Sequence, residues 1–244
     1  MNIIKSIVKL DHYKKFLEDA VFYYFARETF IKWFNRVPLM RYHTLKRCFE
    51  HFETHNMKTI VELGTSRSFV DGRFQGCNTN DIKYWDNNCP DKWDWSGGCF
   101  TKLISKCMNH ITNINFHTVD LCPAHINRCK IMNADNNNIN YHVCSSEEFL
   151  RTFNGKIDLL YMDTGDMTPV EATAQLHLRE AHIIVERDII NHNGIVLIDD
   201  IRSCVPYEAG ENIDMGKGYL SIPYLLNNGF ELIMDEYQTI LKRI

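Results

Sequence analysis

Two short apolar runs in this chain end in acid. Ile157–Met162 (IDLLYM) leads into Asp163, and residues 194–198 (GIVLI) lead into Asp199 and Asp200. Three carboxylates brought together repel one another unless a cation lies among them. A ligand set made only of oxygen favours Mg²⁺, Ca²⁺ or Mn²⁺, and such a cation can act as a Lewis acid on a bound hydroxyl. The competing reading is that these acids are solvated strand ends or helix caps. A second stretch, residues 57–63 (MKTIVEL), places Glu62 just before Gly64-Thr65-Ser66-Arg67-Ser68. A glycine after a strand lets backbone approach a ligand closely, while a carboxylate can take an amine or a hydroxyl. Asp120 closes a third run, residues 115–119 (NFHTV). An acid at the end of the second strand of a Rossmann-like sheet typically binds ribose hydroxyls. Ser145 or Ser146, followed by Glu147 and Glu148, reads as a helix N-cap.

The elements that must position these residues follow from run length and periodicity. Runs of four to seven residues, too short for helices, read as strands at 57–63, 115–119, 140–143, 157–162 and 194–198. Residues 169–190 carry Ala174, Leu178, Ala181, Ile184 and Val185 at helical spacing. A strand, a crossover helix and a strand make a βαβ unit with parallel strands, so the acids fall on one edge of the sheet. Open α/β sheets bind their ligands at that edge. Residues 230–234 and 237–241 alternate about Asp235-Glu236 and predict a closing antiparallel hairpin. The expected fold is α/β: a Rossmann-like, mostly parallel sheet over residues 57–244 with a C-terminal hairpin, preceded by a helical lobe over 1–56. Helices are expected at 14–34, 39–54, 99–109 and 219–226. Residues 69–96 hold Phe74, Tyr84, Trp85, Trp93 and Trp95 among polar residues and read as an inserted loop, either lid-like or a plain structural insertion anchored by its tryptophans. Residues 201–218, with three glycines, read as a loop beside the acids. The segment IMNADNNNIN reads as a surface loop.

Composition narrows the function classes. The chain has 244 residues, a formal net charge of −4 and a pI near 6.2. That balance argues against a nucleic-acid surface driven by overall charge. No apolar run approaches the roughly 18 residues of a membrane span, and the opening MNIIKSIVKLDHYKKF is too short in its apolar part for a secretory signal. A cytoplasmic protein is expected. The nine cysteines include no C-x-x-C, so reduced, buried thiols are expected ahead of a zinc set drawn from Cys77, Cys89, Cys99 and Cys107. A dinucleotide fingerprint would need G-x-G-x-x-G, and only Gly64 is present; no G-K-[ST] P-loop occurs either.

VELGTS with Glu62 and Gly64, then Asp120, IDLLYMD, GIVLIDD and a final hairpin together resemble the class I S-adenosylmethionine-dependent methyltransferases. The pairing of Asp163 with Asp199-Asp200 resembles the metal-dependent O-methyltransferases of the catechol type and those that methylate sugar hydroxyls. The resemblance covers about residues 57–244. It implies an enzyme using S-adenosylmethionine and a divalent cation, Mg²⁺ or another, to methylate a hydroxyl of a small molecule or sugar with neighbouring oxygens. Glu62, Gly64, Thr65 and Ser66 would line the methionine part of the cofactor. Asp120 would take the ribose, and Ser145 would lie by the adenine. Asp163, Asp199 and Asp200 would hold the metal. The family's usual base, Lys or His three residues after the first metal acid, is here Asp166; His177 and Lys217 are further candidates. The rivals are a methyltransferase acting on nucleic acid or protein and a non-catalytic module that keeps the fold. Enzymes that methylate the cap 2′-oxygen use a Lys-Asp-Lys-Glu set, and no lysine is expected to accompany Asp163, which ranks this rival lower. The helical lobe would cover the substrate side or make a homo-oligomer contact.

Overall fold

The computed structural model describes residues 41–65, 100–101, 104–105, 113–166, 169–201 and 216–244. The expected helix at 14–34, the aromatic-rich insertion at 69–96, Ser66 and the cysteines proposed for zinc lie outside the described residues. Helix α1 (Arg41–Thr54) leads to strand β1 (Thr59–Leu63), and β2 (Asn115–Asp120) is followed by α2 (Pro123–Met132) and β3 (Ile139–Val143). Next come α3 (Ser146–Thr152), β4 (Ile157–Met162), α4 (Val170–Glu186) and β5 (Ile190–Ile198). A 3₁₀ turn (Gly216–Gly218), α5 (Ser221–Leu226), β6 (Phe230–Asp235) and β7 (Thr239–Arg243) complete the described elements.

The seven strands form one sheet in the order β3-β2-β1-β4-β5-β7-β6. The first five are parallel, and β7 runs antiparallel to both β5 and β6. The chain therefore reverses its direction of travel between β1 and β4, the kind of switch point where doubly wound sheets open a ligand crevice. The two faces are covered by different helices. On one, Leu45, Cys48, Phe49 and Phe52 of α1 pack with Phe100, Phe116, Leu159, Tyr161, Leu197 and Ile240. On the other, Phe149 and Leu150 of α3, Ala181, Ile183 and Ile184 of α4, and Leu225 of α5 pack with Val61, Leu160, Met162, Val196 and Ile198. Burying both faces is why β4 and β5 read as continuous apolar runs. Each large side chain so enclosed contributes about 1.5–3 kcal/mol. The Phe100 and Tyr161 rings stack at 4.2 Å between centroids.

Three differences from the sequence reading have physical causes. Strand β5 begins at Ile190 and not at residue 194. Asn193 has φ +65°, and the β4–β5 register shifts between Ile157 and Leu159. The NHNG turn signal is thus absorbed as a bulge, with His51 of α1 hydrogen-bonded to the Asn193 carbonyl at 2.8 Å. Helix α2 was not expected; its start is marked by Pro123, a residue suited to the first helical position. The asparagine-rich stretch after it is only partly surface. Asn133 and Asn136 are buried, and Asn136 donates to the Ser105 carbonyl at 3.1 Å.

Strand register sets out the acidic edge. Leu63 pairs with Met162, and Met162 with Ile198, so Gly64, Asp163 and Asp199 follow three neighbouring strand ends in one row. The row is tied by Asp163 N–H to Leu63 O at 2.9 Å and Asp199 N–H to Met162 O at 3.0 Å. Gly64 has φ +88°, and a Cβ there would lie 2.3 Å from the Asp163 carbonyl oxygen. The close approach that its missing side chain permits is to the acidic turn itself. Gly64→Ala is expected to lower unfolding stability by more than about 2 kcal/mol, combining a left-handed backbone with a steric clash. Chemical denaturation checks this, and a loss under about 0.5 kcal/mol, as at an ordinary surface site, would contradict it.

Candidate active site

Asp163, Asp199 and Asp200 each offer a carboxylate oxygen, all within 4.8 Å of one another. Asp199 is fully buried. Its Oδ1 accepts from the Asp200 backbone N–H at 2.9 Å and from Gln238 Nε2 at 3.1 Å, and its Oδ2 accepts from the Tyr161 hydroxyl. Gln238 in turn accepts from the Thr44 hydroxyl. A chain of buried hydrogen bonds thus runs from α1 through the hairpin to the acidic cluster. Asp200 has φ +53°, and its Oδ1 accepts from the Tyr237 hydroxyl at 2.6 Å.

A lysine stands among these acids. Lys217, at the centre of the Gly216–Gly218 turn, places Nζ 2.9 Å from Asp163 Oδ1 and 2.8 Å from Asp200 Oδ2. Only 3% of its side chain is exposed. Burial alone would favour loss of its proton, but Asp163, Asp200 and Asp199 outweigh burial and raise its pKa, so it remains an ammonium. Burial pushes Asp163 upward against the pull of Lys217, with Asp199 and Asp200 adding to the rise. The expectation that no lysine accompanies Asp163 is therefore corrected. The partner comes from 54 residues further along the chain, carried by a glycine-rich stretch with no hydrophobic pattern to signal its position.

Behind Asp163 lies a second buried polar set. His177 Nε2 lies 3.1 Å from the Thr164 carbonyl, and the Thr164 hydroxyl donates to Glu180 Oε1 at 2.9 Å. A carbonyl only accepts, so Nε2 of His177 carries the proton and Nδ1 is bare. His177 Nδ1 and Glu180 Oε2 have no partner among the described residues. Burial, reinforced by Lys217, pushes His177 down to about 3 and keeps it neutral. Burial pushes Glu180 up to about 7 against the hydroxyls of Ser146 and Thr164. These residues, one helical turn apart on α4, hold the turn after β4.

The other expected residues are placed as follows. Glu62 is buried, and its Oε2 accepts from the Thr118 hydroxyl at 2.6 Å and from the Thr101 hydroxyl. Thr65 is buried with its hydroxyl 3.4 Å from that of Thr101. Asp120, at the end of β2, uses Oδ1 to accept from Cys122 N–H at 2.7 Å and to meet His125 Nδ1 at 3.1 Å. Ser145 is the N-cap of α3, its hydroxyl accepting from Glu148 N–H at 3.1 Å. Asp166 is exposed, and its carbonyl accepts from the Thr173 hydroxyl at 2.6 Å. It is not part of the convergent set. Sequence reasoning did not single out Leu121 and Val143, which are 72% and 53% exposed. They flank Asp120, whose register partner is Val143, and large apolar side chains exposed together at strand ends are the signal.

No protein-family model matches the sequence, and no curated protein matches it. Solved structures do match. A Staphylococcus aureus protein assigned, by inference, as a caffeoyl-CoA O-methyltransferase shares 15% identity over 99% of each chain, with a TM-score of 0.53. The S-adenosylhomocysteine-bound methyltransferase PaMTH1 of Podospora anserina shares 12% identity over 98% of this chain and 87% of its own, with a TM-score of 0.52. A Corynebacterium glutamicum protein shares 8% identity over 92% and 90%, with a TM-score of 0.51. At such identities the likeness defines the fold: the chain has the class I methyltransferase fold.

Burial raises Glu62 from 4.5 to about 8, against the pull of Thr101 and Thr118. Between those pH values the native state holds a proton that the unfolded chain has released, so this group makes stability fall as pH rises. Glu62→Gln keeps an oxygen for the two hydroxyls and removes the titration. Urea unfolding at about pH 5 and about pH 8 should show a larger loss in the wild type than in the variant. Equal losses would mean that Glu62 titrates normally.

Proposed function

We propose that the chain is an S-adenosylmethionine-dependent O-methyltransferase acting on a hydroxyl of a small molecule or sugar. The observation that carries this reading is the convergence of Asp163, Asp199 and Asp200 beside Gly64 at the carboxyl edge of a class I methyltransferase sheet. The cofactor's place fits the residues that would hold it. Among the described residues only Oδ1 of Asp120 is engaged, which leaves Oδ2 for a ribose hydroxyl. Leu121 and Val143 offer apolar surface to a flat ring. Ser145 would lie at the adenine side, and Glu62, Gly64, Thr65 and Ser66 would line the methionine side.

S-adenosylmethionine, when bound, supplies a sulfonium methyl that a hydroxyl oxygen attacks in line. The chain chiefly has to orient that oxygen, since alignment at about 3 Å is the main requirement. Asp163 is the carboxylate placed to take the hydroxyl proton, and Asp166 stands on the same turn. A divalent cation such as Mg²⁺ fits three carboxylates by ligand type. Asp163, Asp199 and Asp200 would hold it, provided that Lys217 moved away. It would supply Lewis-acid stabilisation of the alkoxide. Acceptors with neighbouring hydroxyls, catechols or sugars, suit such a cluster.

One observation favours a second reading. The Asp163–Lys217 pair supplies part of a Lys-Asp-Lys-Glu arrangement, which would suit a ribose hydroxyl of a nucleic acid. The excess of acidic over basic residues, 31 against 27, weighs against that polyanion. Among the described residues no helix is long and apolar enough to cross a membrane.

S-adenosylhomocysteine at about a hundred times its dissociation constant should add about 2.7 kcal/mol to stability. In a chain of this size that raises Tm by about 5–10 °C. Transfer of labelled methyl should then appear with diols or sugars ahead of an RNA oligonucleotide. An unchanged Tm with S-adenosylhomocysteine would contradict the reading, and binding without transfer to any acceptor would point to a non-catalytic module.

A further inference from the structure

We propose that Lys217 is the acidic cluster's own counter-ion, seated where a divalent metal would bind, and that its remaining N–H positions the acceptor oxygen. Two of the three ammonium protons are directed to Asp163 Oδ1 and Asp200 Oδ2. The third has no acceptor among the described residues. A neighbouring hydroxyl oxygen can accept that hydrogen bond while its own proton faces a carboxylate.

The position of Lys217 is built into the backbone. Gly216 has φ +44°, and a Cβ there would lie 2.0 Å from the carbonyl oxygen of Asp200. Only glycine lets the turn press against the residue whose side chain Lys217 binds. The Lys217 N–H also points at that carbonyl, at 3.3 Å. One residue past the turn, the Tyr219 hydroxyl donates to Glu171 on α4. The ammonium therefore arrives on a short segment fixed at both ends, between the two carboxylates it pairs with.

A divalent ion and this ammonium exclude one another. Ligand bonds of about 2.0–2.6 Å from the same oxygens would place the metal beside Nζ, where two positive charges in a buried site repel strongly. Asp199 is also committed to Tyr161, Gln238 and the Asp200 amide, so it has least freedom to turn toward a metal. Removing the lysine would reverse the situation, leaving three convergent carboxylates without the one ammonium that, among the described residues, pairs with them.

The catalytic consequence rests on the methyl-transfer reading, but the counter-ion claim does not. Manganese is the probe, titrated by calorimetry and by electron paramagnetic resonance into the full chain and into Lys217→Met. The wild type should show no stoichiometric Mn²⁺ site, and neither Mn²⁺ nor a chelator should shift its Tm. Lys217→Met should gain one site that binds about 10- to 100-fold tighter, on the scale by which groups around a metal alter its affinity. If that variant folds only with Mn²⁺ present, the gain is read as rescue of folding. If it fails even then, Lys217→Met with Asp200→Asn removes one charge of each sign and should still gain Mn²⁺ binding. A tight Mn²⁺ site in the wild type, or no gain in both variants, would overturn the proposal. S-adenosylhomocysteine shifts measured in chelator separate the two claims. Their absence would sink the methyl-transfer reading and leave the Mn²⁺ result to decide the role of Lys217.

Discussion

One ammonium between two carboxylates organises this protein's carboxyl edge. Three acids converge where β4 and β5 end, and buried carboxylates of like charge cannot share so small a space unaided. Desolvating charges is costly, and the arrangement holds only when geometry and hydrogen bonds are good. Lys217 meets that condition with contacts of 2.9 and 2.8 Å. Tyr237, Tyr161 and Gln238 supply donors to the oxygens of Asp199 and Asp200.

The sheet makes that convergence unavoidable. Parallel register across β1, β4 and β5 brings Gly64, Asp163 and Asp199 level, and two packed faces keep the strands from sliding. The helices bear on the site directly. Helix α1 reaches Asp199 through Thr44 and Gln238, so an element ahead of the first strand helps fix a carboxylate at the end of the fifth. Helix α4 secures the turn after β4 through His177, Glu180 and Thr164. A change in either helix is coupled to the geometry of the acids without touching a ligand.

The legible parts of the sequence were those where a local pattern and the tertiary environment agree. IDLLYM is buried on both faces and reads as a strand to the residue. The hairpin and the crossover helix were legible in kind, with the hairpin's second strand beginning two residues later than read, and the N-cap fell on one of two candidate serines, because each is specified by neighbours a few positions away. Strand β5 was read short because NHNG is a turn signal that the bulge at Asn193 overrides. Helix α2 was missed because its described buried apolar positions, Ile126 and Cys129, are too few to show a helical period. At the site, the convergence of the three acids followed from βαβ logic. Lys217 as the partner of Asp163 did not, because a lysine between two glycines carries no periodicity, and only backbone contact with Asp200 fixes where it goes. The enclosure of Glu62 by Thr101 and Thr118 was hidden for a similar reason: its partners come from separate elements.

The acidic edge draws an opposite charge from within the chain, through the pairing of Lys217 with Asp163 and Asp200. The most direct test is an experimental structure of the protein crystallised with S-adenosylhomocysteine and Mn²⁺, with anomalous diffraction recorded at the manganese edge. No anomalous peak is expected among residues 163, 199 and 200, with Lys217 Nζ in contact with Asp163 and Asp200. A manganese peak bonded to those carboxylates, with the lysine turned away, would contradict this pairing.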